Sequence, residues 1–555
     1  MKKLEASLQD LARRIDDHIS NDHEVYQQEM SETQSTLPFC TTDQQILSVR
    51  GYPHTFDSIT PRSASSPPQS ATPCIQPYMN MATETFSDYS PQNGLLLSSV
   101  GISEPDLPPH QMLRNLVDLF FKHVFTWAPI LNGDTISAIL SGSYPTLNEE
   151  DNILLHAIVA ITLRFSEDSA LTEESRFRYR EISKQKVHIF AVGASRVKIL
   201  QALALLAADA LGSSDGPEGG KLLALLVRSV VRLNNGAEKS VLPEPSPGSS
   251  NSDYYRAAEA LHPRDWIEDE GRQTLAWFVY MLASYATVGA TLGFTWGEGS
   301  MDMLLPCRYD LICENYSAET RWFSGPYSIE TAPSGVDHTG SFSYHCEVLR
   351  ILSRIHRLCQ DPVDIMSLVD VRRWSNNYCQ LDDELNEWLS GLPREYGSIS
   401  QLCHPNPPES VSNWIMVHAA FVMSVIRLHS TAYPVMHSHM PLSSHNAMQR
   451  CLAAIESLRM ITRFAVDTGV LCQVGFPFAF VLWTSARLLL VHMAAMQCDV
   501  DFSIWFLIET LEKMAQQWAV AGGYAKTLRH VVCMGQKNKS DTLQYLASLD
   551  DIFLE

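Results

Sequence analysis

No two of the twelve cysteines in this 555-residue chain are separated by two residues, so it contains no C-x-x-C pair. Scattered thiols in so long a chain suit a reduced intracellular protein better than a disulfide framework. Basic runs are missing too. Against 41 Lys and Arg stand 62 Asp and Glu, a formal net charge of −21. A chain of that balance repels nucleic-acid phosphates unless it carries a dense local patch of cations, and none is present. The opening residues Met1-Lys2-Lys3-Leu4-Glu5 lack the apolar core of a secretory signal. H-E-x-x-H is absent, which excludes that helix-borne zinc site, and so is D-D-x-x-D, an acid cluster for magnesium. Period-two alternation over strand lengths and repeats of fixed period are missing as well.

The composition is that of a globular protein, with 45% hydrophobic and 19% charged residues, and the length suits several domains. Met1, Leu4, Leu8, Leu11 and Ile15 step by three and four, so residues 1–20 are expected to form a short coiled-coil segment that pairs protomers as a homo- or heterodimer. Residues 21–105, with Pro61 to Ser70 poor in apolar groups and rich in breakers, read as a disordered linker. From Leu107 onward the helical period takes over. Leu113, Leu116, Val117 and Phe120 line one helix, and Ile153, Leu154, Ala157, Ile158 and Ile161 the next. Val197 to Leu211 and Leu222 to Leu233 form a pair across a Gly-rich turn. Trp414 to Leu428, Cys451 to Val466, Phe480 to Met496 and Ile504 to Ala519 continue the series. The expected architecture is all-α over 106–535, with loops at Ser240–Asp253, Ser324–Gly340 and Pro405–Glu409. Gln273–Gly297 and Val474–Met496 are long and apolar, but polar interruptions make buried helices the better reading, with no membrane partner.

Motifs of chemistry are weak. Gly212-Ser213-Ser214-Asp215-Gly216 fits G-x-S-x-G, yet the segment before it reads as helix, and a nucleophile elbow needs a strand there. Gly219-Gly220-Lys221-Leu222 lacks the first glycine and the Ser/Thr of a phosphate loop. His418, His429, His437, His439 and His445 have no matching carboxylate or thiolate spacing for a metal. Glu268, Asp269, Glu270 and Arg272 point in different directions on a helix, so an ion pair near the helix start is expected there, with Asp265 and Glu268 favoured by the dipole. Asp382-Asp383-Glu384-Leu385-Asn386, the nearest approach to D-D-x-x-D, is expected to be a solvated helix face. Residues 536–555 form an acidic-hydrophobic tail. Within it Leu549, Asp550, Asp551, Ile552, Phe553 and Leu554 interleave acids with bulky apolar groups, the composition of an activation segment that docks on a coactivator.

Asp265 to Tyr280, with Glu270, Arg272, Trp277 and Tyr280, resembles the acidic Trp-x-x-Tyr helix of the middle homology region in fungal zinc-cluster (Zn2Cys6) transcription factors, xylanolytic-activator-like branch. Other patches are similar in order: Thr126-Trp127-Ala128-Pro129-Ile130-Leu131, the charged stretch from Arg164 to Val187, the pair around Gly216-Pro217, Leu304-Leu305-Pro306-Cys307, and Val425 to Pro434. Departures are Gln273 and Thr274 in place of arginine, Ala283-Ser284 in place of an Asp-Arg pair, and Asn234-Asn235 in place of "G-L". The resemblance implies a nuclear transcriptional regulator that is not an enzyme. The zinc cluster is not in this sequence. Zinc is therefore expected only in an N-terminal cluster lying upstream in a longer protein, and DNA would be reached through that domain or a partner. The alternatives are an all-α enzyme and an interaction scaffold without transcriptional output.

Overall fold

Leu113, Leu116, Val117 and Phe120 are all buried on one helical face, so the three-and-four spacing becomes packing at the start of the fold. The computed structural model describes residues 106–142, 147–191, 196–213, 217–238, 266–290, 303–314, 316–318, 320–323, 338–394, 396–403, 411–439, 441–496, 498 and 500–535. The expected coiled-coil segment 1–20, linker 21–105, tail 536–555 and loops 240–253 and 405–409 lie outside the described residues, as do 324–337.

The first helices are α1 (His110–His123), α2 (Gly133–Ser141) and α3 (Glu149–Thr162), the last followed by a 3-10 turn at Leu163–Phe165. Then come α4 (Glu173–Ala191), α5 (Val197–Ser213), α6 (Pro217–Glu238) and α7 (Trp266–Ala290). A short α8 (Tyr309–Cys313) leads to α9 (Ser341–Gln360), α10 (Leu368–Ser390) and the single turn α11 (Ile399–Leu402). The series ends with α12 (Val411–His439), α13 (Pro441–Asp467), α14 (Phe476–Ala495), α15 (Phe502–Met514) and α16 (Ala519–Gly535). Starts are set by local chemistry: Asn132 accepts the amides of Asp134 and Thr135, Asn148 that of Asp151, and Ser367 that of Asp370. Among the described residues, strand pairing is limited to the isolated bridges Leu304–Trp322 and Cys307–Thr339. The fold is all-α.

α3 packs on α1, α4 and α5, and α5 and α6 form a hairpin. α7 lies on both and passes the chain to α9, which packs on α10 and α12. α12 runs against α13 and touches α14; α14, α15 and α16 form a trio whose last member returns to α5. That return is fixed by an aromatic cluster. Trp127, Phe476 and Trp518 stand with ring centroids 5.7–5.8 Å apart, and Phe165 and Phe278 border them. Two glycines make room for it. A Cβ on Gly212 would come 2.3 Å from the Trp518 ring, and one on Gly475 2.6 Å from Trp127.

One expected helix is two. The run Ile504 to Ala519 breaks after Met514, and α16 starts at Ala519. Trp518 lies in the turn between them, fully buried, with its amide donating to Met514 O at 2.8 Å. Val411–Ser430 of α12 and Phe476–Ala495 of α14 are long and apolar enough to cross a membrane, but 83% of the first window is buried inside the fold and half of the second. The run from Gln273 stays in α7 to Ala290 and is likewise mostly buried.

Candidate functional site

α7 holds all four of the residues picked out in the Trp-x-x-Tyr segment, and spacing decides where each one goes. Glu270, Thr274 and Trp277 recur at helical intervals on the inward side and are buried. Glu270 Oε1 accepts the backbone amide of Cys307 at 2.7 Å and the Thr274 hydroxyl at 3.5 Å. Burial pushes the Glu270 carboxyl up to about 7, against the downward pull of the Cys307 amide. The Trp277 indole N–H donates to Leu304 O at 2.9 Å. Trp277, Tyr280 and Phe323 meet edge to face at 4.5–5.7 Å. The Tyr280 phenol is pushed up to about 12 by burial, with Ser353 and Ser284 as hydrogen-bond partners.

Arg272 turns elsewhere. Its guanidinium donates to Asp269 Oδ1 at 2.6 Å and to Asn234 Oδ1 on α6 at 3.4 Å. The expected ion pair near the helix start is therefore Asp269–Arg272; Asp265 lies outside the described residues. The four side chains do not converge on a common point. Glu270 and Trp277 instead clamp the segment Leu304-Leu305-Pro306-Cys307 onto α7, so two patches distant in sequence meet in space. The departures join the same network. Gln273 donates to Asp269 Oδ2 at 3.1 Å, and Asn234 donates to Met303 Sδ at 3.3 Å.

A second charged centre lies at the end of α5. Asp209 is fully buried and is met by Arg164, by Arg180 at 3.1 Å and by Lys184 at 3.7 Å. Ser213 Oγ accepts from Arg180 at 2.7 Å and from Arg164 at 3.1 Å. Cations belong at this pole, because a helix C-terminus carries partial negative charge. Arg164 also stacks over Trp518 at 4.3 Å and donates to Gln517 O at 2.9 Å, linking α5 to the turn before α16.

Residues 117–390 match the family described as the fungal specific transcription factor domain. The matched span runs from within α1 to the end of α10 and includes α7 and both charged centres. No curated protein and no solved structure matches the chain.

Within the matched span the acids of α10 depart from the expected solvated face. Asp383 is exposed, but Asp382 is buried and paired with Arg450 of α13. Its other oxygen lies 3.5 Å from His429 Nε2 on α12, and His429 Nδ1 is 2.6 Å from the Tyr378 hydroxyl. Burial works against the charge of Asp382, yet His429 and Arg450 hold its carboxyl below the usual range. Burial lowers His429 in turn, with the Asp382 hydrogen bond opposing it. This carboxylate is engaged by the protein's own Arg450 and His429.

The two described histidines of the set each have contacts of their own. His418 Nε2 lies 2.7 Å from Tyr396 O, His429 faces Asp382, and the side chains of His437, His439 and His445 lie outside the described residues. Among the described residues no group of three or more His, Cys, Asp or Glu is placed to hold a metal ion. The segment up to Ser213 is a helix rather than a strand, and Gly212 is explained by its approach to Trp518; Ser214 lies outside the described residues. Sequence reasoning missed Asp209 and Glu347. Glu347 is buried, accepts Arg321 in a fork at 2.9 and 3.0 Å and the Trp388 indole at 3.2 Å, and is raised by burial. The available signal was a single carboxylate, inside an otherwise apolar run at Leu203–Leu211 and inside a mixed run at Phe342–Leu352.

Proposed function

We propose that this chain is the regulatory part of a nuclear, pathway-specific transcriptional regulator and does not catalyse a reaction. The observation that carries the reading is the fungal specific transcription factor domain over 117–390. The site geometry agrees with it: the carboxylates that a catalytic reading would need are consumed in buried contacts between helices. Contact with DNA is supplied by a zinc cluster outside these 555 residues or by a protein partner, since the chain itself is acidic. Residues 1–20 pair protomers. Leu549, Ile552, Phe553 and Leu554, set among Asp550 and Asp551, engage a coactivator.

The test is a reporter assay with the full chain fused to a heterologous DNA-binding domain in a fungal host. The expected outcome is a change in reporter output, with a severalfold loss of activation in the variant Leu549→Ala, Ile552→Ala, Phe553→Ala. A fusion that reaches the nucleus and leaves the reporter at the level of the bare DNA-binding domain overturns the regulatory reading. Metal-dependent turnover of a prenyl diphosphate, lost in Asp382→Ala, would favour an enzyme instead.

A further inference from the structure

Among the described residues the buried carboxylates other than Glu270 each face a cation: Asp151 meets Lys198, Asp209 meets Arg164, Glu347 meets Arg321 and Asp382 meets Arg450. Glu270 is the exception. It accepts only from the Cys307 amide and the Thr274 hydroxyl, both uncharged. The charges around it do not make up the lack. On α7, Asp269 is itself acidic, and Arg272 is turned to it and to Asn234 of α6. On the facing loop, Arg308 pairs with Asp310, and burial pushes the Cys307 thiol up to about 12. α5 brings the neutral Gln201 beside Gly271, and Glu347, the first acid of α9, is taken by Arg321. Ionised, Glu270 would be a dry carboxylate with no counter-charge, a state that only water can relieve.

What keeps water out is the loop that Glu270 holds. Leu305, Pro306 and Cys307 are buried between α7 and α9. The Trp277 indole donates to Leu304 O, and the Ser343 hydroxyl of α9 donates to Pro306 O at 2.6 Å. On its two sides the Leu305 amide donates to Arg321 O and the Arg308 amide to His338 O, each at 3.0 Å. Of these anchors only the Glu270 carboxyl changes charge near neutrality. The loop also reaches the first helices: the Tyr309 hydroxyl accepts the Gly133 amide at 3.1 Å, and the Tyr309 ring meets Phe125 at 4.5 Å.

We propose that residues 303–308 form a proton-controlled strap, seated on α7 while Glu270 carries its proton and released when that proton is lost. The seated strap keeps the proton up to about 7, whereas a released strap leaves the carboxyl in water at its ordinary 4.5. Release is therefore rare below 4.5, becomes more frequent as pH rises between the two values, and levels off above about 7. Through Tyr309 the same event loosens the start of α2. The device is independent of the chain's transcriptional output.

Hydrogen exchange of the full chain between pH 5 and pH 8, with rates corrected for the intrinsic exchange of free amides, reads the strap directly. Protection over 303–308 is expected to fall about tenfold or more across that range. At pH 8 it is expected to lie well below the protection of 504–511 in α15, because the strap opens without the rest of the fold. Glu270→Gln keeps the acceptor and is expected to remove most of the fall. Asp269→Asn takes away the neighbouring negative charge, so the fall is expected to level off at a lower pH. Flat protection over 303–308 in the parent overturns the proposal. So does a fall of the same size in Glu270→Gln, or an unmoved profile in Asp269→Asn. Equal protection of 303–308 and 504–511 at pH 8 would mean that the loop opens only with the whole fold, and overturns it as well.

Discussion

At Glu270 a carboxyl is held in a dry site against one backbone amide and one hydroxyl, and burial brings its proton affinity to about 7. The unfolded chain releases that proton near the ordinary value of 4.5, so the folded state binds more protons between the two values. The stability this group contributes is fully present below about 4.5 and is lost as pH rises through about 7, on the order of 3 kcal/mol over the window. His156 and His345 act in the opposite sense, since burial lowers them to about 4 and about 3, so the parent's profile is a sum. Glu270→Gln keeps an acceptor for the Cys307 amide and removes the titration. Urea unfolding at pH 5 and pH 8 is therefore expected to show a smaller loss of stability on raising pH in the variant than in the parent; an identical pH response in both would contradict the buried-acid account. Gly212 offers a steric test. Its Cβ would fall 2.3 Å from the Trp518 ring, and Trp518 is locked by Trp127, Phe165 and Phe476. Gly212→Ala is expected to destabilise by roughly 1–3 kcal/mol, despite alanine's better helix propensity, and to lower the thermal midpoint.

Between elements, the Asp382 centre joins three helices: α10 gives Asp382 and Tyr378, α12 gives His429 and α13 gives Arg450. Removing the carboxylate leaves a partly buried guanidinium without its counter-charge and takes away the acid beside His429 Nε2, which keeps only Tyr378 on its other nitrogen. Asp382→Ala is expected to cost roughly 3–5 kcal/mol, and adding Arg450→Ala is expected to cost less than the sum of the two single changes. Thermal unfolding of the four-member cycle measures it; additive losses would mean that the pair is not coupled. Helices of this kind were legible in the sequence wherever the apolar period was clean. The pair α5 and α6 was read from its leucines and glycines, and α7 from its long apolar run and its family resemblance. The partners of its charges were not legible. Asp209 meets Arg164 and Arg180 from 45 and 29 positions away, and periodicity carries no information about such distances. The break between α15 and α16 was hidden for a related reason. Trp518 is as buried as any helix position, and no Gly or Pro interrupts 504–521, so the apolar pattern runs on through a turn.

Across the whole molecule, the family match and the packing end at different places. The matched span stops at Ser390, but α9 is covered by α12, and α5 receives α16. Val348, Leu352 and Ile355 of α9 are fully buried, as are Ala204 and Ala208 of α5 beside Asp209. A chain cut at residue 390 would expose the α9 face that α12 covers and would leave Asp382 without Arg450 and His429, and Arg164 without Trp518. Losing burial on several side chains at about 1.5–3 kcal/mol each is comparable with the roughly 5–15 kcal/mol that a domain has in hand. Residues 106–390 alone are therefore expected to lack a cooperative thermal transition and to bind a hydrophobic dye, whereas residues 106–535 unfold in one sharp step. A fragment ending at 390 that melts as cooperatively as the longer one would show that the matched span carries its own core, and that α12 to α16 are an addition to it.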